Sequence, residues 1–186
     1  MRLHRFYIGE KVGPQTEIVV HSTELVNQVR KVFRLKTDDS IIVFDGSGSD
    51  YECRIADFSK DSLTLDIQNA SRSRCMPSRT VYLYAALVKK DTFEWITEKA
   101  TELGVTHIVP VMAERSEKKN LNEARLKKIA VEASEQSGRG DVPTILPLIS
   151  CEEAIAKIGQ SDGHTIAFHT EGHALESSTI RKDEDV

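Results

Sequence analysis

Hydrophobic and polar positions along the chain change their period once, near residue 75. Before that point apolar residues mostly alternate. Arg5 to Ile8 and Ile18 to Val20 read as short strands, Ile41 to Phe44 leads into Asp45-Gly46-Ser47-Gly48, and Tyr51, Cys53 and Ile55 alternate beyond that turn. Leu63, Leu65 and Ile67 repeat the two-residue spacing. One helix interrupts them: Leu25, Val26, Val29, Val32 and Phe33 recur at helical spacing behind the capping candidates Ser22 and Thr23, a face that predicts burial of all five. The polar stretch Asn69 to Ser78 breaks the pattern and reads as a linker.

From Thr80 the period becomes strand, helix, strand, helix. Val81 to Val88 is a nearly continuous apolar run, as expected of a strand covered on both faces. Asp91 with Glu94 predicts a capped helix that buries Phe93, Ile96, Ala100 and Leu103 and stops at Gly104. Val105 to Val111 is the next strand. Asn120 with Glu123 opens a helix that faces Leu126, Ile129, Ala130 and Ala133 inward and ends near Gly138 or Gly140. Thr144 to Leu148, a helix capped by Ser150 and Glu153 that buries Ala154, Ile155 and Ile158, and a fourth strand at Thr165 to Phe168 complete the series. Alternation of this kind predicts α/β architecture with a parallel sheet and right-handed crossovers. The expected division is 1–70, a small β-barrel; 71–79, the linker; 80–169, the α/β unit; and 170–186, a polar acidic tail.

Composition narrows the classes. A chain of 186 residues, 39% hydrophobic and 29% charged, has enough apolar content for a real core. It has no apolar run long enough to span a bilayer and no signal-peptide pattern at its start, so a cytoplasmic setting is expected. Cys53, Cys75 and Cys151 are too scattered for a disulfide framework or a zinc site. His169 and His173 share helical spacing close to His164 but lack a further ligand, and no metal is expected. Dinucleotide fingerprints, Walker loops and nucleophile elbows are absent, and Gly46-x-Gly48 joins two strands, which suits a turn rather than a phosphate loop.

The net charge of −4 conceals local excesses of both signs. Residues 1–36 carry seven Lys or Arg against three Glu, residues 115–128 six against two acids, and residues 171–186 five acids against two bases. Two basic regions on an acidic protein fit a polyanion bound at a defined place, and equally an ordinary solubilising surface. Lys89, Lys90, Glu94, Lys99, Glu102 and Arg115 fall near element ends, where α/β sheets place ligands, although a solvated helix face has the same pattern. Glu132, Glu135, Gln136, Ser137 and Arg139 cluster where the second helix of the α/β unit ends. Arg139 can pair with a phosphate or with Glu135, and the Gln136 amide can hold backbone groups or a nucleobase edge.

Together these segments carry a family resemblance. The opening Met1 to Tyr7, VRKVFRLKTDDSIIVFDGSGSDYECRI (Val29 to Ile55), LVKKDTFEWITEKATELGV (Leu87 to Val105), Pro110 with Arg115-Ser116, and AVEASEQSGRGDVPTI (Ala130 to Ile145) occur in order, and the chain resembles the bacterial ribosomal RNA small subunit methyltransferase E family. The resemblance implies a PUA-like RNA-binding barrel followed by a SPOUT-class domain. It also implies S-adenosylmethionine as cofactor, a homodimer, and methylation of a uridine N3 in 16S ribosomal RNA, free or in the assembled small subunit. Carried over by position, Arg5, Lys89, Arg115, Gln136 and Arg139 are expected RNA contacts, with Glu94, Lys99 and Glu102 supporting the site. The catalytic base is not assigned.

Family segments that form the trefoil knot, a Gly-Pro-Glu-Gly-Gly loop and a later Leu-Arg-x-Glu-Thr stretch, are not found before Val186. The α/β domain is therefore expected to lack its knot, leaving Phe168, His169 and Thr170 as the wall of a cofactor site. Two functional readings follow: a member of the methyltransferase family in C-terminally truncated form, or a non-catalytic RNA-binding piece.

Overall fold

A computed structural model describes residues 3–116 and 121–168. Five strands form the first sheet: β1 (Arg5–Tyr7), β2 (Glu17–His21), β3 (Ser40–Phe44), β4 (Ser49–Phe58) and β5 (Ser62–Arg72), in the order β1-β3-β4-β5-β2. Only the β1–β3 pair is parallel; β3–β4, β4–β5 and β2–β5 are antiparallel. The sheet curls into a half-barrel with β1 and β2 as its edges, and register shifts at Glu52/Cys53 and Ile55/Asp57 help it bend. Its core contains Phe6, Ile18, Val20, Ile41, Val43, Ile55, Leu63 and Leu65, the inward set of each alternation. The turn reading of Gly46 and Gly48 agrees with their left-handed φ of 78° and 87°.

Helix α1 (Thr23–Asn27) closes the open side of this core through Leu25 and Val26, with the Ser22 hydroxyl accepting from Leu25 N. At Gln28–Val32 the winding loosens into a π turn in which Phe33 N donates to the Gln28 carbonyl. That slip ends the helical phase after Val29: Val32 is 70% exposed and Phe33 37% exposed, against the expectation that both are buried.

β5 continues to Arg72, so its last residues occupy a segment that the sequence pattern marks as linker. The second sheet holds β6 (Tyr82–Ala86), β7 (His107–Met112), β8 (Thr144–Ile145) and β9 (Ile149–Ser150), all parallel to their partners. α2 (Lys90–Glu102) connects β6 to β7, α3 (Glu123–Ser137) connects β7 to β8, and α4 (Cys151–Gly159) follows β9. α2 and α3 pack on one sheet face around Leu87, Phe93, Ala100, Ile108 and Leu126.

Several local expectations change. α2 is entered at Lys89 without a side-chain cap; Asp91 lies in its first turn, where a carboxylate favours the positive helix end. Its buried stripe is Phe93, Thr97, Ala100 and Thr101, the two hydroxyls donating to the Phe93 and Thr97 carbonyls, while Leu103 is 85% exposed. Asn122 caps α3; Asn120 lies outside the described residues. The third strand is split: β8 pairs with the start of β7 and β9 with its end, because Pro147 between them has no N–H for the ladder. The Ser150–Glu153 capping box forms as expected, but only Ala154 of α4 is buried and Ile155 is 66% exposed. Thr165 to Phe168 is not a strand; the apolar residues there bond to no neighbouring strand among the described residues, and they lie exposed.

Candidate nucleic-acid interface

Parallel β6 and β7 end together, and the chain leaving each end carries an exposed cation. Leu87 N donates to the Val111 carbonyl, extending the pairing past β6; Lys89 follows two residues later. Beyond β7, Ala113 N donates to Ser116 Oγ and Ser116 N to the Ala113 carbonyl, a tight turn that turns Arg115 outward. α2 starts from this same rim, so its positive end adds to the two cations. Lys90 sits beside Glu94 at 3.6 Å, and Arg125 reaches Glu94 from α3 at 3.3 Å. Glu94 thus ties the two helices under the rim. Lys99 is held by Glu98 and Glu102 at 2.8 and 2.9 Å, farther along α2, and these surface pairs contribute little to stability.

The cluster at the end of α3 divides three ways. Gln136 is exposed and lines a groove between α2 and α3 with Trp95, Arg125, Ile129 and several acids. Glu135 faces the half-barrel, where Oε1 accepts from Tyr7 N at 2.9 Å and Oε2 from Gln28 Nε2 at 3.5 Å. Burial pushes the Glu135 carboxyl above its usual range, and those hydrogen bonds offset only part of the effect. Arg139 turns inward and is 2% exposed. Its Nη1 donates to the carbonyls of Thr101 and Val105 at 2.7 and 2.8 Å, and Nε and Nη2 grip the Asp141 carboxylate at 3.0 and 2.6 Å. Neither partner offered by the sequence, a phosphate or Glu135, is the one it takes.

Arg5 is also engaged within the protein. Both its Nη atoms donate to Asp50, Nη2 donates to the Arg139 carbonyl at 2.9 Å, and the guanidinium lies 5.0 Å from the Phe44 ring centre. Its side chain is 9% exposed. Two residues expected on an RNA surface therefore meet in the interior. Around them Gly48 N donates to the Gly140 carbonyl, Ser73 N to the Gly48 carbonyl, and Ser73 Oγ to the Gly138 carbonyl. Nothing in the sequence pattern singles out Asp50 or Ser73, and Gly138 and Gly140 signal only a helix end.

Phe168, the described member of the expected cofactor wall, is 85% exposed and outside any strand; His169 and Thr170 lie outside the described residues, as does His173. The described residues there do not form a cradle that fits a cofactor. Among the described residues no group of three or more His, Cys, Asp or Glu is placed to hold a metal ion, and no helix is long and apolar enough to cross a membrane.

Comparisons with known proteins fit this arrangement. A family model described as RNA methyltransferase domain matches residues 75–184, and one described as RNA methyltransferase PUA domain matches residues 29–68. Ribosomal RNA small subunit methyltransferase E of Rickettsia conorii is 27% identical over 97% of this chain and 71% of its own length. The Bacillus subtilis protein of that name is 32% identical over 78% of this chain, which spans only 59% of that relative. Among solved structures, the Neisseria gonorrhoeae enzyme of that name, bound to S-adenosyl methionine, is 28% identical and superposes with a TM-score of 0.75 over 84% of this chain and 65% of its own. The Legionella pneumophila methyltransferase Lpg2936, at 21% identity and a TM-score of 0.79 over 88% of this chain and 69% of its own, shares the fold. With a curled RNA-methyltransferase PUA sheet joined to the matching α/β unit, the chain belongs to the ribosomal RNA small subunit methyltransferase E family.

Proposed function

We propose that the chain serves S-adenosylmethionine-dependent methylation of a uridine N3 in 16S ribosomal RNA, in the bacterial cytoplasm, with residues 1–70 holding RNA and residues 80–169 belonging to the methyl-transfer unit. The observation that carries this reading is the cationic rim: Lys89 and Arg115 stand exposed where adjacent parallel strands end, in a chain of this family. A uridine N3 takes part in base pairing, so its methylation needs an unpaired or extruded base, which suits RNA gripped by a surface on each unit. The N3 proton must leave as the methyl group arrives; the cofactor supplies that methyl group when bound, and these residues supply positioning and charge. Gln136 on the α2–α3 groove is a further candidate contact, and a homodimer belongs to the same reading.

The exposure of Phe168 favours a second reading, in which this chain by itself binds RNA without the cofactor. The two are separated by titrating S-adenosylmethionine into the purified chain by calorimetry, and by digesting small-subunit RNA after incubation and measuring N3-methyluridine by mass spectrometry. Product formation supports the first. RNA binding without cofactor heat or product supports the second. For the rim, Arg115→Ala is expected to weaken RNA binding and lower the slope of log affinity against log salt by about one. Unchanged affinity and slope would remove Arg115 from the interface.

A further inference from the structure

The opening Arg5 and the Glu135–Arg139 cluster are far apart in sequence and meet at one place, the contact between the half-barrel and the α/β unit. We propose that Arg5 and Arg139 are positioning residues that form a rigid joint, fixing how the half-barrel is oriented on the α/β unit, and that they influence RNA binding through that orientation instead of by touching RNA. The consequence for RNA rests on the function proposed above; the joint does not.

The geometry runs as one chain of bonds. Asp50 on β4 holds the Arg5 guanidinium on β1, and Arg5 Nη2 donates across the contact to the Arg139 carbonyl at 2.9 Å. Arg5 Nε is buried without a hydrogen-bond partner, and with the side chain 9% exposed the cation has little surface to offer a phosphate. The Arg139 side chain then reaches the other way, to the Thr101 and Val105 carbonyls at the end of α2 and to Asp141. One residue thus clamps a helix end of the α/β unit with its side chain and the half-barrel with its backbone. The Arg139 fork makes four bonds from three nitrogens, and a Lys ammonium, with three donors on a single nitrogen, cannot reproduce them. Glu135 adds a second bond across the same contact through Tyr7 N.

Spin labels at Lys60→Cys, on the half-barrel, and Lys157→Cys, on α4, with Cys75→Ser and Cys151→Ser, report the distance between the units by pulsed electron resonance. All four positions are exposed. The expected result is one narrow distance distribution in this background, broadened by Arg139→Lys and independently by Arg5→Lys. If Arg139→Lys does not fold, Arg5→Lys decides. Binding of a 16S ribosomal RNA fragment should weaken roughly tenfold or more in the broadened variants, as contacts on the two units lose their fixed spacing. Its salt slope should stay unchanged. A narrow distribution in the folded Lys variants overturns the joint. A salt slope lowered by about one in the Arg5→Gln or Arg139→Gln variant, with the distribution still narrow, replaces it with direct phosphate contact. Should the fragment fail to bind the parent chain, the RNA reading falls while the distance measurement still judges the joint.

Discussion

Gly140 and Ser73 pack so closely that a Cβ placed on the glycine would lie 2.4 Å from the serine Cβ and 3.2 Å from the carbonyl carbon of Gly48. The constraint is steric. Gly140→Ala is therefore expected to push the two units apart and to lower stability by about 1–3 kcal/mol, read by denaturant titration. Gly13→Ala, where the added carbon meets nothing within 4 Å, is the control. Equal stability in both variants would show that this approach yields easily.

Glu135 gives a pH dependence of defined sign. Its carboxyl is raised in the folded chain because burial disfavours the charge, so between the unfolded value near 4.3 and the raised folded value the folded state binds more protons. Its contribution is most favourable below that window and is lost as pH rises through the folded pKa. Glu135→Gln keeps an oxygen for Tyr7 N and removes the buried charge, so the stability of the variant relative to the parent should grow from pH 4.5 to pH 8. Denaturation midpoints at several pH values measure it; a difference that shrinks with rising pH contradicts the assignment.

Thiol chemistry should divide the three cysteines. Cys53 is buried in the half-barrel core, where burial and then Asp66 push its thiol up to about 12, whereas Cys75 and Cys151 are exposed. A thiol reagent at pH 8 should label Cys75 and Cys151 in the folded chain and reach Cys53 only in denaturant. Rapid labelling of Cys53 under native conditions, mapped by peptide mass, would mean that this core opens.

The packing of the α/β unit makes unequal demands on its apolar residues. Phe93 is 1% exposed at the centre of the second core, and Phe93→Ala should cost about 3–5 kcal/mol. Ile155 is 66% exposed, and Ile155→Lys should change stability by about 0.5 kcal/mol or less. Chemical denaturation of both variants tests the contrast, and a large loss at Ile155 would show that it is covered in solution.

Where each residue's environment follows from near neighbours, the sequence was readable. The alternation at Leu63 and Leu65, the Ser150–Glu153 capping box and the inward stripe of α3 all depend on local spacing, and all are present. Errors arose where a partner elsewhere decides. Val32 leaves the core because the helix slips into a π turn, Leu103 lies beyond the last buried turn of α2, and Thr165 to Phe168 resembles a strand but pairs with none among the described residues. The candidate site divides in the same way. Lys89 and Arg115 are exposed at strand ends, where the pattern suggested, but Arg5 and Arg139 carry the same charge and lie inside. Asp50 holds Arg5 from 45 residues away, and the Thr101 and Val105 carbonyls hold Arg139 from 38 and 34, separations that no spacing rule reaches; Asp141, two residues on, is the one near partner.

Ser73 is buried one residue after β5 ends, already bonded to Gly48 and Gly138. The polypeptide thus enters the packing of the second unit before it has properly left the first, so the covalent tether from Arg74 to Arg79 is not the sole link between them. A protease cut within that tether is expected to leave two fragments that travel together on native gel filtration, held by the bonds of Arg5, Glu135 and Ser73 across the contact.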